Sequence, residues 1–223
     1  IYRNKRSCSE GSNTKGLANY DDLYADVLLW VRNGWIDYNI PQLYWEVGHK
    51  LADYEILIDW WGKNSHGAHL YIGQDVDRTI NAHDLLDKKK NQLSKKMELV
   101  RSNPVIEGNC FWSADMLVKS NALNDSLKNN YHRYPALIPV FKNLDSIPPA
   151  PVSDIRFAMM GKEPKITWSV KKTNKELDKA VMFAIYAFEK TEKIDISNPA
   201  KLLSVVNKTE FVLPRNAKAL CLT

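Results

Sequence analysis

The first 131 residues alternate between two hydrophobic patterns. Apolar side chains recur at helical spacing in some segments, and short runs rich in aromatic and β-branched residues lie between them. The segments predicted as helices are Tyr20–Asn33, Leu51–Lys63, Ile80–Ser102, Ala114–Ser120 and Leu123–Tyr131. The runs predicted as strands are Tyr38–Tyr44, His69–Gly73 and Val105–Trp112. Because strands that alternate with crossover helices pair in parallel, this order predicts an α/β fold with a parallel sheet.

The number of strand–helix units indicates part of a barrel. Ile1–Asn4 is the expected tail of one more strand, which makes about three and a half units, whereas a closed (β/α)8 barrel has eight in about 250 residues. We therefore expect the C-terminal part of such a barrel over residues 1–145. Gly34 is the expected stop of the first helix. Pro41 cannot donate to a strand ladder, so it predicts a strand end or a bulge.

The hydrophobic pattern changes after a proline-rich linker, Ser146–Pro151. The segments predicted as strands beyond it are Ser153–Ala158, Lys165–Val170, Ala180–Phe188, Leu202–Val206, Glu210–Leu213 and the run that begins at Ala219. Trp168 suits the core of a β-sandwich. A seven-strand sandwich takes about 100 residues, and residues 149–223 supply about 75. We expect an incomplete all-β sandwich here, and a chain truncated at both ends.

The composition bears on which binding partners are expected. The formal net charge of +5 is mild, and much of it comes from Lys88–Lys90 with Lys95 and Lys96. Arginines and aromatics do not interrupt this run, so we read it as a solvated helix face and expect no nucleic acid. Apolar stretches fall short of the roughly 20 residues that span a bilayer. Cys8, Cys110 and Cys221 lack metal-site spacing, so no metal or cofactor is expected, and Cys110 suits a small buried position.

The carboxyl ends of the strands are where a barrel carries its chemistry. The four predicted ends are Tyr2–Asn4, Gln42–Glu46, Gly73–Asp75 and Phe111–Ser113. Strand side chains alternate between faces, so Gln42 and Tyr44 are predicted to point toward the barrel axis while Leu43 packs under helices. An amide and a hydroxyl suit sugar hydroxyl groups, and Trp45 suits stacking on a sugar ring. A buried layer of satisfied polar groups explains Gln42 and Tyr44 equally well.

Carboxylates near these strand ends are the candidates for catalysis. Glycoside hydrolysis uses two carboxyl groups across the scissile bond. Glu46 and Asp75 lie at predicted strand ends, and either is a candidate, although an exposed loop carboxylate is usually just solvated. Asp37 lies at the start of its strand, where capping is more typical. His66 and His69 lack the neighbours of a metal site.

The segment Gly34–Trp45 resembles the signature of bacterial family-10-like glycosyl hydrolases, a group of TIM-barrel enzymes. Further matches extend the resemblance over roughly residues 1–140. They are Ile1–Asn4, Tyr20–Trp30, the pair Trp60-Trp61, Leu70–Gly73 and Gly108–Ser113. The segment after Pro151 is similar, in a more generic way, to a fibronectin type III module.

The resemblance implies a secreted, periplasmic or surface-attached hydrolase that acts on oligo- or polysaccharides. It also implies that the main catalytic carboxylates lie on an earlier strand, outside this sequence, so that the fragment alone is inactive. Glu46 is then the catalytic candidate within the chain. The predicted substrate-binding residues are Tyr2, Arg3, Gln42, Tyr44, Trp45, Asp75 and Trp112. An open sheet edge is a further expectation, and another copy of the chain could cover it.

Two other functions stay open at this point. One is a non-catalytic carbohydrate-binding or adhesion protein built from a degenerate barrel. The other is a purely structural role, which suits residues 149–223 better than the first part of the chain, because a fold does not define a function.

Overall fold

The computed structural model describes residues 1–161, 163–214 and 220–222. The chain divides into two compact units, Ile1–Tyr131 and His132–Thr223. Residues 132–152 are all described, and none of them lies in a helix or a strand. The predicted domain limits, 1–145 and 149–223, stay predictions. No described helix has the length and apolar character that crossing a membrane requires.

A three-stranded parallel sheet forms the centre of the first unit. Its strands are β1 (Tyr38–Asn39), β2 (His69–Asp75) and β3 (Ile106–Trp112), in the order β1-β2-β3. The helices of this unit, listed in chain order, are α1 (Asn19–Leu23), α2 (Val27–Arg32), α3 (Tyr54–Lys63), α4 (Val76–Asn81), α5 (Leu93–Ser102), α6 (Ala114–Lys119) and α7 (Asn121–Ser126), and a π-helical turn follows at Leu127–Tyr131. The prediction of an α/β unit with a parallel sheet is confirmed.

One face of the sheet packs against helices. Leu70 and Ile72 on β2 are fully buried, and they share a core with Leu57 and Trp61 of α3. The predicted apolar stripe of α3 is confirmed from Tyr54 onward. The helix begins there rather than at Leu51, because the Asp53 carboxylate accepts a hydrogen bond from the Glu55 amide and caps it. Leu51 is 55% exposed, so its predicted place in the stripe was wrong.

Two predicted helices are each divided in the structure. The predicted helix Tyr20–Asn33 ends at Tyr24, which adopts the left-handed conformation with φ 54°, and restarts at Val27. Asp26 causes the restart, since its Oδ1 accepts from the Leu29 amide at 3.0 Å. Gly34 ends α2 with φ 64°, as predicted.

The predicted helix Ile80–Ser102 contains a loop over residues 82–92. The Asp84 carboxylate accepts from the Leu86 and Asp87 amides, and the Asp87 carboxylate accepts from the Lys89 amide. Such turns offer the backbone an alternative to the helix. The loop closes where His83 pairs with Asn91.

The first strand is shorter than predicted because Pro41 interrupts its pairing with β2. Pairing between β1 and β2 breaks after Asn39 and resumes at a single bridge between Gln42 and Gly73. There the Gly73 amide donates to the Pro41 carbonyl and the Leu43 amide donates to the Gly73 carbonyl, both at 2.9 Å. Pro41 thus contributes only its acceptor. A side chain at position 73 would lie 3.1 Å from the Pro41 carbonyl oxygen, so the glycine permits this close approach.

Two further sequence predictions were wrong in the first unit. Lys96, predicted on a solvated face, has no exposed surface. Cys110, predicted to be buried, is exposed. Each of these errors has a structural cause. Cys110 points away from the helices, whereas Lys96 lies on the side of α5 that packs inward with Met97 and Val100. The expected strand at Ile1–Asn4 is a single bridge between Asn4 and Ser12 in the described residues.

The second unit contains two antiparallel sheets. One is formed by β4 (Ser153–Met160), β5 (Glu163–Ser169) and β8 (Glu210–Val212), and the other by β7 (Leu202–Val206), β6 (Phe183–Ala187) and β9 (Leu220–Leu222). Trp168 of β5 meets Phe183 of β6 edge to face, with ring centroids 5.2 Å apart, in a core shared by both sheets. This confirms the predicted core position of Trp168. The predicted strand start at Ala219 lies outside the described residues.

Candidate functional site

The strand register aligns three predicted site residues at the carboxyl edge of the parallel sheet. Asp75 pairs with Trp112 across β2 and β3, and Gln42 pairs with Gly73 two positions before Asp75. Tyr44 lies outside the strand, and the effect of Asp75 and Cys110 on its hydroxyl shows that it lies near this edge. Gln42 and Trp112 are exposed, whereas Leu43, the residue that follows Gln42, is buried. The predicted parity therefore agrees with the burial.

Tyr44 and Asp75 interact electrostatically across this edge. Partial burial raises the pKa of the Tyr44 hydroxyl, and the nearby Asp75 carboxylate and Cys110 thiol raise that pKa further. A neutral tyrosine hydroxyl both donates and accepts hydrogen bonds. Tyr44 therefore offers both a donor and an acceptor at this edge.

The Asp75 carboxylate is already engaged within the protein. Its Oδ1 accepts from the Arg78 amide at 3.0 Å and caps α4, and its Oδ2 lies 3.5 Å from Nε of Arg78. The side chain is 17% exposed. The position is thus accessible at one edge but fixed in orientation, which suits hydrogen bonding to a ligand at a defined place.

A cleft of about 280 Å³ opens beside this edge. Trp45 and Glu46 lie on one wall, in the loop between β1 and α3. Trp45 is half-buried and packs against the core that contains Leu70 and Ile72. Its ring centroid lies 6.5 Å from that of His49. The full lining is Tyr44, Trp45, Glu46, His49, Arg78, Asn81 and Ala82.

Sequence reasoning missed His49, Arg78 and Asn81. Arg78 and Asn81 lie on α4, one and two turns after the strand-end residue Asp75, so the rule that places chemistry just after a strand could have found them. His49 lies in the loop after β1, and its Nδ1 accepts from the Leu51 and Ala52 amides at 3.3 and 3.0 Å. Nothing in the periodicity marks it.

Lys96 lies under the site and was also missed. Its Nζ donates to Thr79 Oγ1 at 3.1 Å and lies 4.6 Å from the centre of the Tyr54 ring. Burial lowers the pKa of the Lys96 ammonium to about 8, and the Asp75 and Glu46 carboxylates partly oppose that shift. Thr79 in turn donates to the Asp75 backbone carbonyl at 2.6 Å. A buried cation is therefore linked to the site edge through one hydroxyl.

The structure places Tyr2 and Arg3 in another environment. Tyr2 is 3% exposed, its hydroxyl donates to Asp26 at 3.0 Å, and its ring stacks on Trp60. Arg3 pairs with Asp21 through two nitrogens, at 2.7 and 3.1 Å, and covers the Tyr20 ring. Their predicted contact with substrate stays a prediction. Among the described residues, no group of three or more His, Cys, Asp or Glu side chains could hold a metal ion.

This arrangement, a parallel sheet with polar and aromatic side chains at its carboxyl edge, coincides with a family match. Residues 4–91 match the model of the family described as Glycosyl hydrolase-like 10. That range contains Gly34–Trp45, the segment that carried the resemblance, together with Asp75 and all the residues that line the cleft.

Curated proteins named glycosyl hydrolases are similar to the chain over a longer range. Glycosyl hydrolase YngK of Bacillus subtilis (strain 168) is 37% identical over 153 residues, which cover 67% of this chain and 30% of that protein. Glycosyl hydrolase DigH of Escherichia coli (strain K12) is 32% identical over 126 residues, which cover 53% of this chain and 29% of that protein. The chain thus spans about a third or less of the length of these relatives.

Proposed function

We propose that this chain is part of a glycoside hydrolase and that the carboxyl edge of its parallel sheet forms part of the substrate cleft. The observation that carries the proposal is the common face of Gln42, Asp75 and Trp112, with Tyr44 near Asp75, next to a cleft lined by Trp45 and Glu46. The family match over residues 4–91 and the names of the relatives support the same class of substrate.

The chemistry of these groups fits a sugar. A pyranose offers hydroxyl groups at its rim and apolar C–H groups on its faces. Trp112, 63% exposed, and Trp45 offer aromatic surfaces for the faces, while Gln42 and Tyr44 offer both donors and acceptors for the hydroxyl groups. Glu46 is the exposed carboxylate within the cleft and is the group in this chain that we assign to acid–base chemistry.

The proposed architecture follows from the same parts. We assign the parallel sheet with its helices to the C-terminal part of a (β/α)8 barrel, because all three strands are parallel and the predicted site lies at their carboxyl ends. We assign the two antiparallel sheets of the second unit to a fibronectin type III-like sandwich. A secreted or surface location belongs to this proposal as well.

One observation favours a second function, carbohydrate binding without catalysis. Retaining and inverting hydrolysis both need two carboxyl groups at the scissile bond. The Asp75 carboxylate already caps α4 and pairs with Arg78, so it suits orientation of a ligand better than proton transfer. Of the two candidate carboxylates in this chain, only Glu46 is then left for catalysis, and one carboxylate is fewer than hydrolysis needs.

The test is a binding titration of the 223-residue chain with cellotetraose, xylotetraose and chitotetraose. We expect one of the three to bind, and we expect Trp112→Ala to weaken that binding at least tenfold. Trp35→Ala is the matched control, because Trp35 is 65% exposed but precedes β1, at the opposite edge of the sheet. Equal loss in both variants, or no binding of any of the three, would contradict the proposed site.

A second assay separates the two functions. The natural full-length protein is incubated with the saccharide that binds, and released reducing ends are measured. Release that Glu46→Gln reduces supports the hydrolase and the role of Glu46. Binding that Trp112→Ala abolishes, without any release of reducing ends, supports the non-catalytic alternative.

A further inference from the structure

Gln92 uses every hydrogen-bonding group of its side chain on two loops. Its Oε1 accepts from the Val47 amide at 2.7 Å, and its Nε2 donates to the Val47 carbonyl at 3.1 Å and to the His83 carbonyl at 3.0 Å. The side chain is 1% exposed. Both backbone groups of one residue are therefore held by one amide, as a neighbouring β-strand would hold them.

Val47 is the centre of the loop that forms one wall of the cleft. Trp45, Glu46 and His49 line the cleft on either side of Val47. The side chain of Val47 is itself buried, in the core that contains Leu70 and Ile72. Val47 lies in neither a helix nor a strand, so repeating backbone bonds do not fix it. The Gln92 amide supplies the two backbone bonds instead.

The backbone of Gln92 connects the same loop to the opposite wall. Its amide lies 3.1 Å from the Ala82 carbonyl and 3.3 Å from the Thr79 carbonyl, at the end of α4 that carries the cleft residues Asn81 and Ala82. Gln92 thus bonds the backbone of both segments that supply the lining of the cleft, the loop around Val47 and the end of α4.

We propose that Gln92 is a positioning residue that sets the distance between the two walls of the carbohydrate cleft, by fixing the Trp45–His49 loop against the end of α4. This inference rests on the proposed function for the nature of the ligand. Aromatic and carboxylate groups on a loop bind a sugar more tightly when the loop keeps one geometry, because each freely moving side chain loses entropy on binding.

The test uses Gln92→Met, which keeps the length of the side chain but removes all three bonds. Hydrogen exchange of the Val47 amide in the 223-residue chain is compared with that of the Ile72 amide in the sheet. We expect Val47 to lose at least tenfold more protection than Ile72. Affinity for the tetrasaccharide that binds the unmodified chain should fall at least tenfold.

Val100→Ala is the matched control for stability. Val100 is 3% exposed and lies near the other end of α5, the helix that Gln92 begins, so its truncation destabilises the same element without touching the cleft. It should lower the melting temperature but leave both the local exchange at Val47 and the affinity unchanged. If Gln92→Met does not fold, Gln92→Leu removes the same three bonds with an apolar side chain of similar size and should show the same pattern.

Two results would overturn the inference. One is an equal loss of protection at Val47 and Ile72, which would show that Gln92 contributes only global stability. The other is a selective loss at Val47 with unchanged affinity. Failure of the unmodified chain to bind any tetrasaccharide would instead refute the proposed function and the sugar as ligand, while the exchange comparison would still decide whether Gln92 fixes the loop.

Discussion

The two faces of the parallel sheet are built from the same strands but differ in what their residues do. On β2, Leu70, Ile72 and Gln74 point to the helices and have at most 1% exposure. On the other face, Tyr71 is half-buried, and its ring meets the exposed Tyr38 edge to face with centroids 6.3 Å apart. We call the first the covered face and the second the open face.

The alternation of side chains along β2 separates buried positions from accessible ones, and we propose that the accessible ones bind the ligand. The covered face gains its stability by removing apolar area from water. The open face keeps polar and aromatic groups accessible, and its carboxyl edge holds Tyr44, Asp75 and Trp112. Substitutions on the covered face should therefore change the free energy of unfolding, while substitutions on the open face should change ligand affinity.

The largest expected effect is on the covered face. Ile72→Ala should lower the free energy of unfolding by about 2–5 kcal/mol, because it leaves a cavity at a fully buried position. Denaturant unfolding followed by circular dichroism measures this loss. A change below about 1 kcal/mol would show that the helices do not pack tightly on this face.

The buried ammonium group of Lys96 should make the free energy of unfolding depend on pH. The pKa of Lys96 is about 8 in the folded chain against 10.5 in the unfolded chain, so the unfolded chain binds more protons between these values. Stability then rises with pH through this window, and the gain approaches about 3 kcal/mol for a shift of this size. Lys96→Met has nearly the same length but lacks the charge, so its unfolding should not show this rise. The difference between the two proteins, measured from pH 7 to pH 10.5, gives the contribution of Lys96, and parallel curves would contradict it.

A smaller effect is expected where the two faces meet at the edge. Asp75→Ala removes the cap of α4 and should cost about 1 kcal/mol of stability. Asp75→Asn keeps the oxygen acceptor for the Arg78 amide and should cost less. Thermal unfolding of both variants checks this order. Equal losses would show that the charge, through Arg78, matters more than the cap.

The smallest effect on stability is expected on the open face. Trp112→Ala should change the free energy of unfolding by no more than about 0.5 kcal/mol, because the side chain is 63% exposed. Denaturant unfolding of this variant next to Ile72→Ala compares the two faces in one experiment. A loss similar to that of Ile72→Ala would mean that Trp112 is a core residue and not a ligand platform.

Periodicity predicted what depends on neighbours in sequence. The order of helices and strands follows from spacing alone, and so does the position of Trp112 at a strand end. The shared face of Gln42 and Tyr44 stays a prediction. The breaks in the two long predicted helices were missed although their causes are visible. Asp26 is a capping residue within an apolar stripe, and Asp84 can form a turn with its own backbone.

Other features depend on contacts between distant segments. Lys96 reads as part of a solvated run, and only the packing of α5 on Thr79 and Tyr54 shows that it is buried. Gln92 is polar at an unremarkable position, yet it bonds residues 45 positions earlier. For Tyr2, the aspartate that accepts its hydroxyl lies 24 positions away, which spacing does not reveal.

We propose that the carboxyl edge of the open face binds a carbohydrate. The most direct measurement is a ¹H–¹⁵N NMR titration of the 223-residue chain with cellotetraose, xylotetraose and chitotetraose. We expect the saccharide that binds to shift the signals of Gln42, Tyr44, Asp75 and the Trp112 indole, and to leave those of Leu70 and Ile72 nearly unchanged. Shifts confined to residues 153–212, or no shifts with any of the three, would contradict it.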